Sequence, residues 1–223
     1  MRQMSIKPIL FNTEMVRANL DGRKSCIRRI VKPQPTNEIQ CPLGICTDGD
    51  KSEIGKFAFG SHEGGGKMIF CKPPYQPGDI LYVRETVWQK TGHYLDVDGE
   101  TKAVWCNEFK YVATDEKPET GWNYSWVKRP SIHMPKEAAR IWLKVTDVRV
   151  ERLQEITEIG ATKEGCVYDV EYALGNTAKG HFIEIWNSTI KKSKKSDRDR
   201  YGWNASPWVW VIEFERCEKL ETL

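Results

Sequence analysis

Apolar positions along this chain recur mostly at intervals of two, the spacing of half-buried strands, with a few stretches at the spacing of a helix. In TEMVRANLD (residues 13–21), Met15, Val16 and Leu20 form a helical stripe, with Thr13 as cap candidate and Gly22 closing the segment. SCIRRIVK (25–32) alternates as a strand, Cys26 and Arg28 on one side, Ile27 and Arg29 on the other, until Pro33 and Pro35 end it. QPGDILYVRETVWQ predicts a turn at Pro77 and Gly78, then one strand from Ile80 to Trp88. Strand-like runs follow at 103–114 and 122–127, with Asp98-Gly99 as a hairpin turn. RIWLKVTDVRVERL (140–153) sets Ile141, Leu143 and Val145 against Arg140, Trp142 and Lys144, a half-buried strand.

Two amphipathic helices come next. TEIGATKEG (157–165) carries Thr157 as cap and Glu158 in the first turn, and a second helix at about 179–190 bears Phe182, Ile183, Ile185, Trp186 and Ile190. KKSKKSDRDR (191–200) is too charged for a core and reads as an exposed connection; SPWVWVIEFERC then predicts a closing strand. Residues 33–74 are rich in glycine and proline and lack sustained periodicity, which predicts a long loop-rich insertion. Short strands mixed with few helices predict a single α+β domain over residues 1–223, built around a small mixed β-barrel.

Composition narrows the function classes. The 223 residues are 39% hydrophobic, enough for a sizeable core, and no apolar run approaches the roughly 20 residues that span a bilayer. The first residues lack a signal-peptide pattern, so a cytoplasmic protein without a membrane partner is expected. Net charge is only +3, from 34 basic and 31 acidic residues, so any affinity for nucleic acid must come from clustering. Seven cysteines and no export signal read as reduced thiols with no cofactor. The alternative is a structural zinc on Cys41, Cys46, His62 and Cys71, although C-x4-C is looser than a zinc knuckle and no second close pair follows.

One cluster stands out: Arg23, Lys24, Arg28, Arg29 and Lys32 crowd DGRKSCIRRIVK. Four landmarks in order, spanning residues 22–214, resemble the ASCH superfamily, small barrels related to the PUA fold. They are Gly22-Arg23-Lys24-Ser25 with Arg29, Gly78-Asp79-Ile80-Leu81-x-Val83, Ile156-Thr157-Glu158 with Ala161 and Glu164-Gly165, and Val211-Ile212-Glu213-Phe214. PGDILYVRET, PSIHMPKEAARIWLKV and PWVWVIEF also look like longer ASCH-like proteins of phages and prophages.

The resemblance implies RNA or modified-nucleoside binding through a basic pocket centred on Lys24, in a bacterial host if the gene is phage-borne. Arg23, Lys24, Arg28, Arg29 and Arg84 are the phosphate-contact candidates; Glu85, His133 and Trp88 are further pocket candidates. The related N4-acetylcytidine amidohydrolases imply a lysine base, a threonine three residues later and a glutamate acid. Lys24 and Glu164 match the first and third, but Ile27 stands where the threonine belongs and has no hydroxyl to attack with. A hydrolase, whether an amidohydrolase or a ribonuclease, would therefore need Ser25, Cys26 or an activated water. A third class is a phage-assembly or host-factor binding module.

Overall fold

The computed structural model describes residues 5–36, 39, 41–61, 67–167, 177–191 and 195–219. It is α+β, dominated by sheet, and divides into two compact units. The first comprises residues 1–22, 79–144 and 215–223, the second residues 23–78 and 145–214.

In the first unit, β1 (Ile6–Leu10) runs parallel to β6 (Ile80–Arg84), which pairs antiparallel with Trp142–Lys144 at the start of β10 (Trp142–Arg152). Helix α1 (Thr13–Leu20) follows β1. Its cap is Asn12, one residue ahead of the Thr13 expected, because the Asn12 side chain accepts from the Met15 N–H. Asp79 is buried and accepts from Ser5 Oγ and Lys7 Nζ, each at 2.6 Å, so the Gly-Asp landmark ties β1 to the start of β6.

The strand expected from Ile80 to Trp88 is two strands in different sheets. The chain breaks at Glu85, whose N–H donates to Met134 Sδ and whose carboxylate takes both Arg140 Nε (2.9 Å) and Nη2 (3.0 Å). Beyond the break, β7 (Val87–Leu95) lies between β8 (Thr101–Tyr111) and β9 (Tyr124–Arg129), and β7 and β8 form the hairpin foreseen at Asp98-Gly99. Val87, Phe109 and Tyr111 pack one face of this sheet onto a core of Ile80, Met134, Ala138, Ala139 and Trp142.

In the second unit, β2 (Cys26–Ile30) pairs antiparallel with β11 (Trp208–Cys217), which neighbours β10. The parity of β2 and β11 sorts their side chains. Cys26, Val209 and Val211 face a core with Ala161 of α2 (Glu158–Lys163) and with Phe182, Trp186 and Ile190 of α3 (Ala178–Lys191). Trp208 and Trp210 face the other way, against Phe59 and Phe57 of β4 (Phe57–Gly60). Residues 33–74 are thus more than a loop: β4 pairs with both β3 (Cys41–Ile45) and β5 (Ile69–Cys71). The charged run at 191–200 also departs from expectation, because Lys195–Tyr201 is a helix, α4. Among the described residues no sheet closes on itself. Among the described residues no helix is long and apolar enough to cross a membrane.

Candidate functional site

Two local devices bring Lys24 to Glu164. Helix α2 begins where Thr157 Oγ1 accepts from the Gly160 N–H and ends in a Schellman closure. There the Gly165 N–H donates to Thr162 O and the Cys166 N–H to Ala161 O, with Gly165 at φ +93°, a conformation costly for any residue with a Cβ. Glu164 is the C-cap of that closure, and its backbone forms an antiparallel bridge with Lys24, reinforced by the Ser25 N–H donating to Lys163 O.

The side chains finish the junction. Lys24, fully buried, donates to Cys26 O (2.8 Å), Glu164 O (2.8 Å) and Glu164 Oε2 (2.9 Å). Arg28, also buried, donates from Nη1 to Glu164 Oε1 (3.3 Å) and from Nη2 to Glu151 Oε2 (3.2 Å). Arg149 continues the chain, donating to Glu151 Oε1 (2.7 Å), Asp147 Oδ2 (2.9 Å) and Glu213 Oε1 (2.8 Å), and Lys163 Nζ stands 3.7 Å from Glu213. Four cations thus alternate with four carboxylates, which leaves the network formally neutral. Burial pulls the Arg149 guanidinium down, but its hydrogen bonds to Glu151, Asp147 and Glu213 outweigh that and hold its pKa above the ordinary value.

Above this network opens a cleft of about 240 Å³. Its polar walls are Arg28, Arg149 and Lys163 against Glu151, Glu155 and Glu213; Cys26 and Gly160 also line it. The Lys24 and Glu164 side chains are buried and do not line it. Arg28 Nε is buried with no hydrogen-bond partner among the described residues. Gly160 permits this packing, since a Cβ there would stand 3.3 Å from Arg28 Nη2 and 3.2 Å from Ile156 Cγ1.

The other sequence candidates distribute as follows. Arg23 is exposed and donates to Gly165 O, Arg29 is exposed on β2, and Ser25 is half-buried. Cys26 lines the cleft, but burial, helped by the Glu164 charge, pushes its thiol up to about 12, so it stays protonated near neutral pH. Ile27 is buried on the opposite side of β2, paired across the strands with Ile212. Arg84, Glu85, His133 and Trp88 belong to the first unit. There Arg84 donates to the carbonyls of Met134 and Ile132, Glu85 is sealed by Arg140, and His133 is exposed in a short 3-10 turn.

All seven cysteines are free thiols. Of the zinc set, His62 lies outside the described residues, while Cys41 pairs opposite Gly60 and Cys71 opposite Phe57, on opposite sides of β4. That register separates the two by roughly 14 Å, beyond a shared ion. Among the described residues no group of three or more His, Cys, Asp or Glu side chains is arranged to hold a metal.

Sequence reasoning missed Arg149, Glu151, Lys163 and Glu213. The signal was in DVRVE: beyond Val145, the alternation that had carried core residues carries Asp147, Arg149 and Glu151. Compared with protein-family models, with curated proteins and with solved structures, the chain matches none of them. The ASCH resemblance therefore rests on its four landmarks.

Proposed function

We propose that the second unit is a base-recognition module on an ASCH/PUA-like scaffold, binding one nucleobase, within RNA or as a modified nucleoside, in the cleft above Arg28 and Arg149. The observation that carries this reading is the alternation of guanidinium and carboxylate groups around a hollow of about 240 Å³. A base edge presents donors and acceptors side by side, and such a wall meets both. A polyphosphate would meet three glutamates there along with the cations. The volume lies below the roughly 300–1,000 Å³ of drug-sized sites, a scale suited to one base.

Lys24 is then a positioning residue: it holds Glu164, which holds Arg28. Binding without hydrolysis is favoured, because Lys24 gives its protons to three oxygens, the Cys26 thiol is protonated, and Ile27 brings no nucleophile. Calorimetric titration of cytidine, N4-acetylcytidine, uridine, adenosine and guanosine tests the proposal. The expected result is saturable binding of at least one nucleoside, weakly dependent on salt, lost in Arg149→Met and in Glu151→Gln, with no cytidine released from the acetylated form. Absence of binding at millimolar nucleoside, or binding that both variants leave intact, overturns it.

A further inference from the structure

The sheet of β8, β7 and β9 in the first unit has one face on the core and one in solvent. Solvent faces of such sheets are normally polar. Here the register does something else. Trp88 on β7 sits opposite Lys110 of β8 and Lys128 of β9, and Trp126 of β9 sits opposite Lys90. Side chains two apart share a face, so Trp88, Lys90, Trp126 and Lys128 lie together on the side away from Val87 and Phe109. Lysines crowd the rings: Lys128 and Lys117 stand 5.8 and 6.0 Å from the Trp88 ring centre, and Lys110 stands 5.8 Å from that of Trp126. Lys90 is neutralised by Glu108, at 2.9 Å. Lys110, Lys117 and Lys128 are exposed and, among the described residues, form no salt bridge; each stands over an aromatic ring, and Lys110 also acts at longer range on the Asp115 carboxylate.

We propose that this face binds single-stranded nucleic acid, with unstacked bases lying on Trp88 and Trp126 and phosphates meeting Lys110, Lys117 and Lys128. Three exposed cations outside any salt bridge among the described residues supply the charge complementarity that the neutral cleft of the second unit lacks. Flat rings beside them supply the stacking that a single strand offers and a duplex withholds. The lysines that cover the rings in the free protein move to phosphate when a base takes their place. The surface is independent of the nucleoside cleft and does not rest on it.

The test is fluorescence anisotropy of the full chain with a labelled 12-nucleotide single-stranded RNA, beside the same sequence as DNA and as duplex. Single strands should bind more tightly than duplex. The logarithm of affinity should fall with that of salt with a slope near −2, about −0.7 for each of three phosphates. Lys110→Gln/Lys117→Gln/Lys128→Gln should flatten that slope, and Trp88→Ala should weaken binding about 5- to 100-fold, as expected for one lost stack. Trp88→Phe, which keeps a ring and the fold, should recover most of the affinity. No strand binding at 50 mM salt overturns the proposal, whatever the cleft does. So does binding whose slope the lysine variant leaves intact, or capture of an acidic protein by this face in place of RNA.

Discussion

Replacing Lys24 by methionine removes the cation of the buried junction while nearly preserving its volume. Three oxygens lose their donor at once, the carbonyls of Cys26 and Glu164 and Glu164 Oε2, all within 2.9 Å of Nζ. Each buried acceptor left unmet costs about 1–3 kcal/mol. The sum is moderated because Arg28 still donates to Glu164 Oε1. A loss of about 3–5 kcal/mol follows, the range for breaking one side of a buried pair. Glu164→Leu should cost a similar amount, since it leaves the Lys24 ammonium buried against carbonyls alone. The double variant, with methionine against leucine, should cost less than the two losses together by at least about 2 kcal/mol. Urea unfolding followed by circular dichroism, with the four proteins compared as a cycle, measures this. A single-variant loss below about 1 kcal/mol, the value of an exposed pair, or additive losses in the cycle would refute the reasoning.

Gly160→Ala gains helix propensity of about 1 kcal/mol but pushes a Cβ against Arg28 and Ile156, so stability should change little while nucleoside affinity in a calorimeter falls several-fold. The Cys26 thiol is raised from 9.0 to about 12 and that of Cys166 to about 11, so the unfolded chain loses these protons first as pH rises. Stability is therefore complete below pH 9 and should decline from there toward 12, by about 1.4 kcal/mol per pH unit per thiol at most; urea midpoints at pH 8 and pH 10 for wild type and Cys26→Ala should show a smaller decline in the variant. Glu85→Gln breaks the bidentate pair with Arg140 in the first unit and should cost about 2–3 kcal/mol in thermal unfolding, while leaving nucleoside binding intact.

The elements were largely legible because periodicity and caps are local. Thr157 announced α2, Asp98-Gly99 announced a hairpin, and the alternation in β2 and β11 told which residues share a side. What was not legible depends on partners remote in the sequence. Nothing in RETVW marks Glu85 as a break until Arg140 and Met134 stand beside it. The meeting of Lys24 with Glu164 was suggested by the landmarks. The passage of charge onward through Arg28, Glu151 and Arg149 depends on β11 lying between β10 and β2, and pairing is not written in any one segment. KKSKKSDRDR showed charge, which speaks of exposure and not of backbone conformation, and so its helix was missed.

Lys24 and Glu164 are 140 positions apart, and Arg28 of the cleft gains its Glu164 partner only once those two segments have met. During synthesis, a nascent chain that has not yet delivered residue 164 from the ribosome holds a buried-type ammonium with no counterpart, and closing so wide a span is slow relative to local structure. Ligand competence should therefore arrive late and all at once, and fragments that stop short of α2 should be insoluble or inert however well their own hairpins form.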